Sequence, residues 1–284
     1  MKTKKDTTLA IGEKVTTRMI TLLEEGTVPW KRPWSVGGGD LSPRNPVTGT
    51  VYRGRNWLLL SLMGWDSPYF VTYNQARCAG GSVVKGSKGN PIIKASSVTK
   101  EDANGDKHDH FYVKGFTVFN STQVEGMEFP ELNIERHETN DIEVCEKIIK
   151  GWKDCPPITI AGAKAFYMPS SHSITMPERD RFKSDNEWYS TIFHEMIHAT
   201  SQPLERKLGN SFGTASYGEE ELIAELGSAI LCTVAGIDKH VEDHNASYLQ
   251  SWINVLKGSP EMIMTASKAA IKACEHILNK PITA

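Results

Sequence analysis

His194 and His198 stand four residues apart in "FHEMIHATS", and Glu195 directly follows the first. On a helix, residues four apart differ by about 40° in azimuth, so the two imidazoles project side by side. Two neutral imidazoles on one face can take two corners of a tetrahedral Zn2+ site. Glu195 lies about 100° round the helix. From there it reaches a water on the open metal position rather than the metal, the general-base role of H-E-x-x-H hydrolases.

Such a site needs a third protein ligand. Ser201 and Leu204 stand where a metzincin carries Gly and His, which excludes that class. The other solution is a glutamate on a following helix, and "YGEEELIAELGSAILC" (217–232) offers Glu221 and Glu225 among Leu222, Ile223, Ala224, Leu226 and Ile230. Carboxylates on so apolar a helix are costly to bury without partners. Glu221 is assigned as the ligand and Glu225 as the acceptor for a ligand histidine's N–H. The reverse assignment stays open, because the spacing does not distinguish them. Glu219 and Glu220 read as solvated charges at a helix N-terminus. His240 and His244 in "HVEDH" repeat the four-residue spacing, but with a displaced glutamate and polar flanks they read as exposed.

The elements that must position these residues follow from the same sequence. Ser184 and Glu187 form a capping-box pattern, and Pro203 limits the far end of a helix over 185–200. Trp188, Ile192, Phe193, Met196 and Ile197 supply its buried face. Further helices are expected over 141–152, 219–235, 244–256 and near 260–278. Short strands are expected at 157–161, 164–169 and 173–177. The last, "SITMP", is expected at the cleft edge, pairing with substrate backbone. In the first half, "TTLAIGEKVTTRMITLLEEG" is an amphipathic helix stopped by Gly26. "RNWLLLSLMGW" is a second helix, and "YFVTYNQARCAGG" a strand followed by a helical turn. Hairpins are expected around Gly86–Pro91 and at Asn104-Gly105, with "FYVKGFTVFN" returning from the latter. Gly126 and Pro130 break the pattern and set a boundary. The fold class is therefore α+β, divided into residues 1–130 and 131–284.

Charge divides the same way. Residues 1–130 carry 17 Lys and Arg against 12 Asp and Glu, a net +5; residues 131–284 carry 15 against 22, a net −7. A local positive field suits a polyanionic partner. Aromatics such as Trp30, Trp34, Tyr52, Trp57, Tyr69 and Tyr73 interleave with Lys31, Arg32, Arg53, Arg55 and Arg77, a composition that lets bases stack while cations follow phosphates. Trp57 and Tyr69 read as core. Trp34, Tyr52, Arg53, Arg55, Lys85 and Lys88 are the candidates for contact with single-stranded DNA. "GSVVKGSK" lacks the G-K-S order and the strand-to-helix context of a phosphate loop, so no nucleotide cofactor is expected. No apolar run is long enough to span a bilayer, and no signal core follows the N-terminal lysines. Five widely spaced cysteines without a C-x-x-C pair fit a reducing cytoplasm.

The combination resembles the ArdC-type antirestriction proteins. "AFYMPSSHSITMPERDRF", "FHEMIHATS" and "YGEEELIAELGSAILC" resemble that family's metallopeptidase domain. "GTVPWKRPW", "NPVTGTVYRGRNWLLL" and "VTYNQARCAGGSVVKGSKG" resemble its single-stranded-DNA-binding domain. The resemblance implies a plasmid- or phage-borne protein that shields incoming DNA from host restriction. It also implies a zincin-like second half with a short sheet, His194, His198 and a glutamate of 221–225 holding Zn2+, for which Mn2+ or Co2+ could substitute. Arg55 departs from the apolar residue that many relatives carry there. Two versions stand: DNA coating with a structural or vestigial zinc domain, and an active zinc endopeptidase that cleaves a host protein and uses the first half for targeting. A nuclease is weaker, because H-E-x-x-H suits one metal and a peptide carbonyl.

Overall fold

In a computed structural model, the structure describes residues 4–26, 28–29, 42–63, 65, 67–101, 107–131, 141–208, 215–237, 246–259 and 261–282. Its elements are a mixture of long helices and small sheets, the α+β class expected. Trp34, His240 and His244 lie outside the described residues.

The first half opens with α1 (Lys4–Glu24), which ends at Gly26 in a left-handed turn (φ 77°) that only glycine adopts freely. Helix α2 (Gly54–Leu62) buries Trp57, Leu58, Leu59, Leu60 and Leu62, as its apolar run requires. Strand β1 (Phe70–Thr72) runs straight into α3 (Tyr73–Cys78), where Thr72 and Gln75 form a reciprocal capping box. The long strands β3 (Asn90–Glu101) and β4 (Lys107–Asn120) pair from Asn90↔Val118 to Glu101↔Lys107. That is the hairpin Asn104-Gly105 predicts; the turn itself lies outside the described residues. β1 adds to the other side of β4, giving the order β1-β4-β3. One expected pairing is corrected. β2 (Ser82–Val83) does not form a hairpin with β3; it pairs antiparallel with β5 (Val124–Glu125). The Lys85–Gly89 stretch is thus a crossing between two small sheets. The buried side chains of Asn90, Asn120 and Gln123 hold that crossing: Gln123 Nε2 donates to Lys88 O at 2.9 Å and Trp65 Nε1 to Asn90 Oδ1 at 2.8 Å.

The second half begins with α4 (Asp141–Gly151). A three-stranded sheet follows: β6 (Ile158–Ile160), β7 (Phe166–Met168) and β8 (Ser173–Met176). Its order is β6-β8-β7, with β6 parallel and β7 antiparallel to β8. β8, the "SITM" strand, is therefore central, with both edges taken. It cannot add a substrate strand; β6 and β7 are the edges, and β7 is the one whose backbone meets Glu195 of the histidine-bearing segment. The remaining helices are α5 (Asp185–Ala199), α6 (Ala215–Ala235), α7 (Ala246–Gly258) and α8 (Met262–Leu278).

One hydrophobic core joins the halves. Ile11, Val15, Met19 and Leu23 of α1 and Trp57, Leu58 and Leu62 of α2 belong to the same buried cluster as α5, α6, α7 and α8. Lys257 of α7 also pairs with Glu24 of α1 at 3.0 Å. A second, small core under β1 gathers Tyr52, Leu60, Phe70, Ile92 and Val118.

Candidate metal centre

α5 forms for the reasons its sequence gives. Ser184 Oγ accepts the Glu187 N–H at 3.2 Å, and Trp188, Ile192, Phe193, Met196 and Ile197 are all buried. The reciprocal half of the box is altered: the Glu187 carboxylate accepts the Lys183 N–H rather than that of Ser184. At the other end the last turn places His194 and His198 on one face, their rings 4.7 Å apart between centroids.

α6 crosses this face at close range. A Cβ on Gly227 would fall 2.6 Å from Ile197 Cδ1, so the two helices touch where glycine leaves room. One and a half turns earlier on α6, Glu221 reaches both histidines. Its two oxygens lie 3.6 Å from His194 Nε2 and 3.6 Å from His198 Nε2, and the two nitrogens are 3.1 Å apart. Among the described residues, these three are the group of His, Cys, Asp and Glu donors whose ligand atoms all lie within 4.8 Å of one another. Donors about 2.0–2.2 Å from a shared Zn2+ at tetrahedral angles stand about 3.3–3.6 Å apart. The set fits one small divalent cation.

Around the three donors the environment is anionic. Burial pushes the His194 pKa down, but the Glu221 hydrogen bond and the charges of Glu225, Glu195 and Glu221 outweigh it, and the net shift is upward. Burial alone would raise Glu221; bonding from His194 and the neighbouring imidazoles and Tyr217 carry it below the usual carboxylate value. Tyr217, one turn before Glu221 on α6, is hydrogen-bonded to that carboxylate. Burial, then the charges of Glu221 and Glu195, push its phenol up to about 12. Glu195 is 9% exposed, and its Oε2 accepts the Tyr167 backbone N–H of β7 at 2.7 Å. The edge strand therefore grips the would-be base directly. Tyr167 Oη in turn lies 2.9 Å from His172 Nδ1.

One expectation about the acidic helix changes. Glu220 is not a solvated charge: it is 5% exposed, 3.3 Å from His198 Nδ1 and paired with Arg206 at 2.9 Å. The carboxylate facing the outer nitrogen of His198 is thus Glu220. Glu225 is half-buried one turn beyond Glu221, and its charge acts on His194. Glu220 and Tyr217 are the functional candidates the sequence did not single out.

The structure spreads the DNA-contact candidates over the first half. Arg53, Lys85 and Lys88 are exposed and Arg55 is half-buried, with Arg53 at the N-cap of α2. Tyr52 is corrected: it is 8% exposed and packs edge-on against Phe70, ring centroids 6.4 Å apart, so it cannot stack a base. Trp57 and Tyr69 are core as expected. An exposed aromatic among the described residues is Tyr73, 55% exposed at the start of α3, with exposed Arg77 one turn on. Asn45 Nδ2 donates to Gln75 Oε1 at 2.9 Å and fastens the 44–51 loop, with exposed Val47, beside α3. Between residues 42 and 94 the one acidic residue in the sequence is Asp66.

Comparison with known proteins adds the following. Residues 10–119 match the family model for the N-terminal domain of anti-restriction factor ArdC, and residues 146–269 match that for a zincin-like metallopeptidase. A Mn(II)-bound crystal structure of the antirestriction ArdC protein from R388 plasmid is 32% identical, with a TM-score of 0.70 over 94% of this chain and 97% of that one. The metal-free structure of the same protein gives 32% identity and a TM-score of 0.67 over 95% and 98%. Two DNA primase TraC proteins of Escherichia coli are 36% and 34% identical over 94% of this chain. The chain spans only 27% and 20% of their lengths. Protein y4eC of Sinorhizobium fredii is 29% identical over 92% of this chain and 89% of its own. Among the described residues no helix is long and apolar enough to cross a membrane.

Proposed function

From the premise that the chain belongs to the ArdC antirestriction family, with a zincin-like second half, we propose that it protects incoming plasmid or phage DNA from host restriction. In this reading it coats single strands with the surface of residues 1–130. Residues 131–284 carry a divalent metal centre of metallopeptidase type, with zinc as the preferred ion. The observation that carries the metal reading is the convergence of His194, His198 and Glu221, whose ligand atoms all lie within 4.8 Å of one another.

Each residue has a part. His194 and His198 offer Nε2 lone pairs, and Glu221 offers a carboxylate oxygen. A cation held there supplies Lewis acidity, which makes a nearby water a stronger acid and polarises a carbonyl. Glu195, gripped through Oε2 by Tyr167, keeps its other oxygen for a water proton and can return that proton to a leaving amine. Tyr217 presents a phenol held protonated, a donor for developing oxyanion charge. An extended peptide would lie along the β7 edge, in place of the β8 strand first expected there.

On the DNA side, Tyr73 offers a ring for stacking, with Arg77, Arg53, Arg55, Lys85 and Lys88 available to phosphates. An active endopeptidase that uses the DNA surface for targeting is the second reading, favoured by the placement of Glu195. Two measurements test the proposal: metal content of the purified full chain, and its binding to a fluorescent single-stranded oligonucleotide across a salt series. About one divalent ion per chain is expected, lost in His194→Ala and Glu221→Ala. Single-strand binding is expected to weaken steeply with salt. Full occupancy in Glu221→Ala with loss in Glu225→Ala would move the third ligand to Glu225.

A further inference from the structure

After α5 the chain turns back on itself. Glu205 adopts a left-handed conformation (φ 52°), and the Arg206 N–H returns to Ser201 O at 2.8 Å. This turn delivers the Arg206 guanidinium to the end of the metal-site helix. Nη2 donates to Ile197 O at 2.8 Å and Nη1 to Thr200 Oγ1 at 2.8 Å. The same guanidinium forks onto Glu220, Nη2 to Oε1 at 2.9 Å and Nε to Oε2 at 3.2 Å. Glu220 Oε1 then faces His198 Nδ1 at 3.3 Å. A continuous polar chain thus runs from the turn to the nitrogen opposite a metal donor.

A buried charge pair is an expensive way to tie two helices, because desolvation offsets most of its attraction and apolar residues of similar volume do as well or better. The α5–α6 contact already has apolar closure in Ile197 on Gly227. What the ionic pair adds is direction. With both carboxylate oxygens accepting from Arg206, Glu220 faces His198 as an acceptor, so Nδ1 carries the proton. The imidazole can then present an unprotonated Nε2 to Glu221 and His194 in one ring orientation only.

We propose that Arg206 and Glu220 are positioning residues of the metal centre: Arg206 fixes the Glu220 carboxylate, which fixes the tautomer and rotamer of His198, so the 201–206 turn sets metal affinity. The proposal rests on the metal-centre reading above. It assigns Glu220 a role that its place in a run of three glutamates, at what the sequence suggests is the start of a helix, does not reveal.

The test uses the full chain, apo, with Zn2+ titrated against a chromophoric chelator and the His198 tautomer read by nitrogen-15 NMR. Thermal melting of each apo variant is recorded alongside. Glu220→Ala should bind Zn2+ about 10- to 100-fold more weakly and lose the Nδ1–H tautomer preference at His198. Arg206→Lys, which keeps the charge but not the fork, should fall between wild type and Glu220→Ala. The double variant Glu220→Gln with Arg206→Met removes the buried charges together, so apo melting should stay near wild type while Zn2+ affinity still falls about tenfold or more. Variants that melt near wild type, keep the tautomer and bind Zn2+ at wild-type affinity would overturn the proposal. A wild-type chain that takes up no divalent ion would instead sink the metal-centre reading itself, and this inference with it.

Discussion

Gly227 of α6 and Ile197 of α5 touch so closely that a Cβ at 227 would sit 2.6 Å from Ile197 Cδ1 and 2.7 Å from its Cγ1. Ile197 immediately precedes His198, and Gly227 lies on the helix that brings Glu221. The gap that glycine leaves open is therefore the gap across which the three donors meet. Gly227→Ala should cost about 1–3 kcal/mol by overpacking. Moving α6 outward should also weaken metal binding about tenfold, since ligand spacing is tolerant only to a few tenths of an ångström. Denaturant unfolding of the apo chain and a chelator-competition titration measure the two effects separately. Unchanged metal affinity would mean that α6 reaches the histidines without this close approach.

Metal uptake should fall early on acidification. His194 has its pKa raised by the surrounding carboxylates, so in the apo protein it keeps a proton above the ordinary histidine value of about 6.5. A cation must displace that proton, so affinity is fully present at high pH and declines as pH falls through the raised value. For the apo fold the sign is opposite: a raised histidine pKa contributes stability at low pH, lost as pH rises through it. Zn2+ titrations from pH 8 to 5.5, paired with apo melting over the same range, should show the two trends crossing. Affinity independent of pH down to about 6 would contradict the assignment of His194 as a ligand.

In the first half of the chain, Tyr73 and Tyr52 should separate cleanly. Tyr73→Ala should lower single-strand affinity by about 1–3 kcal/mol, the cost of one lost stacked base, and leave melting unchanged. Tyr52→Ala removes a buried ring from the small core with Phe70 and should cost about 3–5 kcal/mol of stability. Anisotropy with a labelled oligonucleotide, alongside thermal melts, checks both. A Tyr73→Ala chain that binds as wild type would remove Tyr73 from the DNA surface.

The parts of the site that were legible in sequence are those set by local rules. Helical spacing puts His194 beside His198, Ser184 caps the helix, and the apolar run around Glu221 signals a carboxylate that needs partners. Where tertiary contact decides, sequence misleads. Glu220 looks like an ordinary first-turn charge, because its partner Arg206 reaches it only through a turn closed by a left-handed Glu205. Tyr52 stands between Gly49 and Gly54, which suggests an exposed loop, yet its ring turns inward beneath β1. β2 lies next to β3 in the chain but pairs with β5, whose Glu125 and Val124 are brought round by the Asn120 and Gln123 capping box. Charge divides the chain near residue 130, whereas the main core does not: α1 and α2 are buried against α7 and α8, a contact no composition reveals.

If protection lies with the cationic first half and the metal chemistry with the second, the most direct measurement compares variants of the full chain during transfer of unmodified DNA into a restricting host. Glu195→Gln keeps volume and leaves His194, His198 and Glu221 free to bind, so fold, metal content and single-strand binding should persist while any peptide hydrolysis falls by orders of magnitude. That variant should protect incoming DNA nearly as well as wild type. Tyr73→Ala combined with Arg53→Ala and Arg77→Ala should lose protection in step with its single-strand affinity. If Glu195→Gln folds, holds its metal and binds DNA normally yet gives no protection, the peptidase is the effector and the shield reading is wrong.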